Sequence, residues 1–130
     1  DPLVAILPDG SADLPEVATP QFMAEQPMVT EPRFANLRSM ITGWFATERL
    51  EPYRALQVDT LETIRSAVAA NLGAAIVPRM VVSDQPANIR ILPIHPPMSR
   101  ELVVVERSDN TARSQAHNLV RSALFEGIRP

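Results

Sequence analysis

The residues best suited to chemistry lie in the run Thr30-Glu31-Pro32-Arg33-Phe34-Ala35-Asn36, where a strand end leads into a helix start. The backbone N–H groups of a first helical turn have no partner within the helix, and the helix dipole adds partial positive charge, so such a point attracts an anion. Arg33 adds a guanidinium able to grip a carboxylate through two parallel hydrogen bonds, and Phe34 supplies an apolar wall. The same residues have a plainer reading, in which Asn36 caps the helix, Phe34 packs on Phe45 or Trp44, and Arg33 is solvated. A second helix start, Val58-Asp59-Thr60, lies beside the first if the two preceding strands are neighbours in a parallel sheet. Its plain alternative is simple capping by Asp59. The candidate ligand-binding set is therefore Thr30, Pro32, Arg33, Phe34, Asn36, Val58 and Thr60.

Other chemistries find little to stand on. His95 and His117 show no ligand spacing between them, so the sequence names no metal site. A nucleophilic serine would need a strained elbow, and there is neither a G-x-S-x-G motif nor a glycine-rich phosphate loop. Glu101 and Glu106 are five apart on a predicted strand and so point to opposite faces, which disfavours a paired-carboxylate site. With no cysteine, disulfides, thiolate metal sites and thiol nucleophiles are excluded from this chain. No catalytic residue and no cofactor is expected.

The composition agrees with a binding module. The 130 residues suffice for one ordinary core, and 45% apolar content argues against disorder. Net charge is −3, and the 12 basic residues, all arginine, form no run, so this piece alone is a poor nucleic-acid binder. The longest apolar tract is interrupted by Asn71 and Gly73, and the first residues lack the pattern of a signal peptide. The chain is expected to be soluble and cytoplasmic, with no membrane partner. Because it begins with Asp1, it reads as part of something longer.

The elements that must position these residues alternate. LVAILP at Leu3 to Pro8 is a short apolar strand followed by an Asp9-Gly10 turn signal. Thr19 and Pro20 open one or two helical turns, and Met28 to Thr30 make a brief strand. Leu37, Met40, Ile41, Trp44 and Phe45 form an apolar stripe on a helix from Asn36 to about Glu48. RALQVD is the next strand. Asp59 with Glu62 resembles a capping box, opening a helix whose face is Leu61, Ile64, Val68 and Leu72, with Gly73 as its left-handed cap. Ala74 to Val77 suit a strand buried on both faces, RMVVS a turn of helix, and IRILPI a strand limited by Pro93. ELVVVER, from Glu101 to Arg107, is the longest β-branched run and reads as a strand. Asn110-Thr111 caps a last helix with a face of Ala112, Ala116, Leu119, Val120, Ala123 and Leu124, ending near Gly127. The class is α/β.

The ordered set LVAILP, MVTEP, FANLRSMITGWF, LQVDTLETIRSAVAANLGAAIVP and ILPIHPPMSRELVVVER resembles the effector-binding region of LysR-type transcriptional regulators over essentially the whole chain. Asp59 to Pro78 is its most specific part. The resemblance implies a fold of periplasmic-binding-protein type II, with a mixed, mostly parallel sheet flanked by helices. It implies that residues 1–8 are a crossover strand, 9–98 the second subdomain, and 99–130 a return crossover strand and a helix belonging to the first subdomain. Family effector contacts carry over onto Pro32, Arg33, Phe34 and the helix start behind them, and onto Val58 to Thr60. The implied partners are a small-molecule effector, for which Arg33 favours a carboxylate or another anion, a second copy of the protein, and DNA through a domain absent from this chain. The same fold also serves solute-binding lobes of transport systems, which is the alternative reading.

Overall fold

The computed structural model describes residues 1–31, 36–107 and 114–127. Its centre is β1, Leu3–Pro8, which pairs antiparallel with β4, Ala75–Pro78, on one side and with β5, Ile89–Pro93, on the other. A parallel pair, β2 at Met28–Thr30 and β3 at Arg54–Gln57, continues the array. The join is made by backbone: Val29 N donates to Ala74 O and Ala74 N to Pro27 O, both at 2.8 Å, around a parallel bridge between Met28 and Ala74. The sheet is mixed. β2, β3 and β4 share one direction, and β1 runs against both of its neighbours.

The period of two along β1 divides the core. Leu3, Ala5 and Leu7 face a layer containing Met23 of α1, Pro20–Ala24, and Leu37, Trp44 and Phe45 of α2, Asn36–Ala46. Val4 and Ile6 face Ile64, Ala67 and Val68 of α3, Leu61–Ala69, together with Val82 of the 3-10 turn Arg79–Val82. Helices thus cover both faces, as apolar residues alternating along a central strand require. Trp44 and Phe45 meet edge to face at 5.2 Å between ring centroids, and the Trp44 indole N–H donates to Pro96 O at 2.7 Å.

Local signals behave as physical chemistry dictates, with instructive shifts. Thr19 caps α1, its hydroxyl accepting from Phe22 N, with Pro20 at the first helical position. The cap of α3 is Thr60, which accepts from Thr63 N at 3.1 Å; it is not Asp59. A capping box closes on the residue whose oxygen reaches the third N–H of the helix, and α3 starts at Leu61, so that residue is Thr60. At the other end the left-handed residue is Asn71, φ 63°, and not Gly73. Leu72 N donates to Ala67 O and Asn71 N to Val68 O, the paired bonds of a Schellman ending. Leu72, expected on the buried face, is therefore beyond the helix and 55% exposed.

One expectation near the end of the chain is corrected. Glu101 to Arg107 carry no strand, and Val103 and Val105 are largely exposed. A β-branched run favours an extended chain, but a strand exists only where a neighbour completes its ladder, and among the described residues none does. The last helix, α4, is Gln115–Gly127 and buries none of its residues. Asn110, Thr111 and Ala112 lie outside the described residues, and Ser114 Oγ accepts from His117 N at the start of α4. Arg121 Nε to Glu106 Oε1, 2.7 Å, ties α4 to the segment before it. Among the described residues no helix is long and apolar enough to cross a membrane.

Candidate functional site

A parallel pair of strands, each followed by a helix, brings two helix starts to one end of the sheet, the geometry in which open α/β sheets bind ligands. That is the arrangement at the ends of β2 and β3. Val58 N donates to Thr30 O at 3.0 Å, so the two strand ends expected to be neighbours are joined by a hydrogen bond. Asn36 is the exposed first residue of α2, and Thr60 caps α3 while sharing a 2.8 Å hydrogen bond with the Thr63 hydroxyl. Val58 is half-buried against the layer that contains Ile64. Pro32, Arg33 and Phe34 lie outside the described residues.

Among the described members of the set, Thr30 alone is buried. Its residue exposure is 8%, and its Oγ1 has no hydrogen-bond partner among the described residues. A buried hydroxyl without a partner is disfavoured by about 1–3 kcal/mol, so it is a group that a ligand or water can reward. Beneath it a cavity of about 20 Å³, bordered by Val29, Leu37, Ile41, Ile64 and Ile76, has room for one water.

The structure brings in residues that sequence reasoning missed. Arg38, in the first turns of α2, donates from Nη1 to Glu31 O and to Gln57 Oε1, both at 3.2 Å. It thereby ties the helix to both strand ends. Its position two residues past Asn36 was a signal, since a side chain there reaches back toward the preceding strand end. Arg54 Nη2 donates to Thr42 Oγ1 at 3.3 Å, and with Arg38, Ser39 and Gln57 these two residues line an open groove of about 450 Å³. The third parallel strand, β4, ends at the same side of the sheet. There Arg79 N donates to Pro2 O, and Met80 N to Asp1 Oδ1 at 3.2 Å. The contact of residues 79 and 80 with residues 1 and 2 has no local sequence signal, because it is set by the sheet order alone.

Glu31 gives the site a titratable group. Burial raises its carboxyl above the ordinary value near 4.5, and the positive charge of Arg100 opposes that rise in part. A folded-state pKa above the unfolded value means that the native state binds more protons in that window, so the contribution of Glu31 to stability falls as pH rises from the ordinary value through the raised one. Glu31→Gln is therefore expected to raise the melting temperature at pH 7 and to have little effect at pH 3.5. Thermal unfolding of both proteins at the two pH values checks this, and a loss of stability at pH 7 would contradict it.

The family model described as the LysR substrate binding domain matches residues 1–125. No curated protein sequence matches. Among solved structures, the effector binding domain of QuiR in complex with shikimate superposes with a TM-score of 0.71 at 20% identity, covering 96% of this chain and 60% of that one. The regulatory domain of CcmR from Synechocystis PCC6803, in complex with 2-PG, gives 0.69 at 14% identity, with 96% and 62% covered. HinK, a LysR family transcriptional regulator from Pseudomonas aeruginosa, gives 0.62 at 17% identity, with 76% of this chain and 36% of that chain covered. The chain thus spans from about a third to about three fifths of the length of these relatives.

Proposed function

This chain belongs to the LysR substrate binding domain family, and we propose from that premise that it is the effector-sensing part of a transcriptional regulator. In this reading it is a non-catalytic, cytoplasmic binding module that acts as a homo-oligomer and reaches DNA only through another domain. The observation that carries it is the hydrogen-bonded adjacency of Thr30 and Val58 at two parallel strand ends, each leading to a helix start. QuiR and CcmR, whose structures hold shikimate and 2-PG, support a small molecule as the ligand class. The family match speaks for a regulator over a solute-binding lobe of a transport system.

The ligand we propose is a small anion, a carboxylate in the first instance, held by the Thr30 hydroxyl, which has no partner among the described residues, and by the helix starts at Asn36 and Thr60. Pro32, Arg33 and Phe34 complete the set as the sequence suggests. Residues 1–8 and 99–130 act as the two crossover segments and the returning helix, and 9–98 as one wall of a two-walled cleft. The backbone bonds between Leu3 N and Met98 O, and between Asp1 and Arg100, support this division. A ligand changes the angle between walls only by binding one arrangement better than another.

One wall offers only part of the contacts. Calorimetry of this chain with small acids is accordingly expected to show weak binding at most. Tight binding would contradict the two-walled cleft.

A further inference from the structure

The sheet end that carries Thr30 and Val58 is also where residues 1 and 100 meet. Asp1 N donates to Arg100 O at 3.2 Å and Arg100 N to Asp1 O at 3.0 Å, beside a bridge between Pro2 and Ser99. Side chains reinforce the backbone. Arg100 Nε donates to Asp1 Oδ2 at 2.9 Å, and the other carboxylate oxygen of Asp1 accepts from Met80 N just past the end of β4. The Asp1 carboxylate is nearly buried, at 8% exposure, and the Arg100 side chain is 27% exposed.

This pairing leaves the guanidinium under-used. Arginine commonly grips a carboxylate with two parallel bonds, but Arg100 meets Asp1 through Nε and Oδ2 alone, while Asp1 Oδ1 accepts from Met80 N. Nη2 meets the Met80 thioether at 3.1 Å, a weak acceptor. Of five N–H donors, those on Nη1 and the second on Nη2 have no acceptor among the described residues. The charge of Arg100 is felt at Glu31, the residue after Thr30. The arginines of the neighbouring groove are differently placed, since Arg38 is engaged with Glu31 O and Gln57, and Arg54 with Thr42.

We propose that Arg100 is an anion-binding residue of the effector site, its Nε edge fixed by Asp1 and its Nη donors presented to the carboxylate or phosphate of the ligand. The inference rests on the strand ends being the effector site and deepens that reading by naming the cation that meets the ligand. It also gives the ligand a mechanical handle. Arg100 joins the segment at residue 1 to the segment at residue 100 and, through Asp1, to the turn after β4, so a ligand seated on it contacts the group that staples these three pieces.

The test is an NMR titration of the 15N-labelled chain with shikimate and, in parallel, with its uncharged methyl ester as probes. The Arg100 Nε–Hε signal is assigned by its loss in Arg100→Lys. The acid is expected to shift that signal together with the Thr30, Val58 and Thr60 amides, and the ester is not. Removing a charge-assisted contact is expected to weaken apparent affinity at least about tenfold in Arg100→Gln. Should that variant fail to fold, Arg100→Lys, which keeps the charge facing Asp1 but loses the fork, is expected to weaken binding in the same direction. If the three amides move while the Arg100 signal stays still and the variants titrate as wild type, the assignment of Arg100 is overturned and the strand-end site stands. The acid is taken to a millimolar excess, at which the weak binding expected of one wall still populates the complex, and if neither group of signals moves there, both readings fall.

Discussion

Phe45→Ala is expected to lower the free energy of unfolding by about 3–5 kcal/mol. Phe45 is 0% exposed and sits where α2 packs on the face of β1 that carries Ala5 and Leu7, edge to face with Trp44. Deleting a fully buried ring removes its transfer free energy and leaves a cavity that the surrounding Met23, Met28 and Ile76 fill only in part. The loss is large against the roughly 5–15 kcal/mol that holds an ordinary domain. It also bears on the site, because α2 carries Asn36 and Arg38. Urea unfolding followed by far-UV circular dichroism is the suitable measurement, since Trp44, the single tryptophan, is itself disturbed by the change. A loss below about 1 kcal/mol would mean that α2 does not pack as described.

The second large effect is expected at Gly73. A Cβ there would stand 2.5 Å from Pro27 O and 3.2 Å from Val29 Cγ2, and the backbone lies at φ 155°. Pro27 O cannot withdraw freely, because it accepts the Ala74 N–H that joins β2 to β4. Gly73→Ala must therefore break that bond or strain the backbone, and a loss of about 2–3 kcal/mol is expected. Faster amide hydrogen exchange should appear at Val29 and Ala74, whose N–H groups make the join. Gly43→Ala is the control. Nothing lies within 4 Å of its added Cβ, and alanine in the middle of α2 is expected to stabilise by about 0.5–1 kcal/mol. Equal effects of the two substitutions would refute the close approach at Gly73.

These two glycines show what sequence reading reaches. The sequence places Gly73 at a special backbone position because a helical pattern stops there and an apolar run begins, and the need for glycine is real. Its reason is non-local, the approach of Pro27, and the left-handed cap belongs to Asn71. The same division runs through the rest of the chain. Thr19-Pro20, the stripe from Leu37 to Phe45 and the run Ala75 to Val77 are governed by neighbours in sequence, and the structure follows them. Glu101 to Arg107 has the composition of a strand, but pairing depends on a partner that composition does not reveal.

The proposed site divides likewise. The neighbourhood of Thr30 and Val58 follows from reading two β–α turns in a parallel sheet, so those residues were within reach. Asp1, Met80 and Arg100 were not. Their meeting requires β1 to lie antiparallel between β4 and β5, which no local pattern in the sequence states.

The role proposed for this chain is to sense an effector for a DNA-binding regulator. The most direct test is to recover the native polypeptide from its source cells with an antibody raised against these residues, measure its intact mass, and assay it on duplex DNA. A species much heavier than 14.3 kDa that binds duplex DNA is expected. A species of about that mass, exported or bound to a membrane carrier and without affinity for DNA, would contradict it.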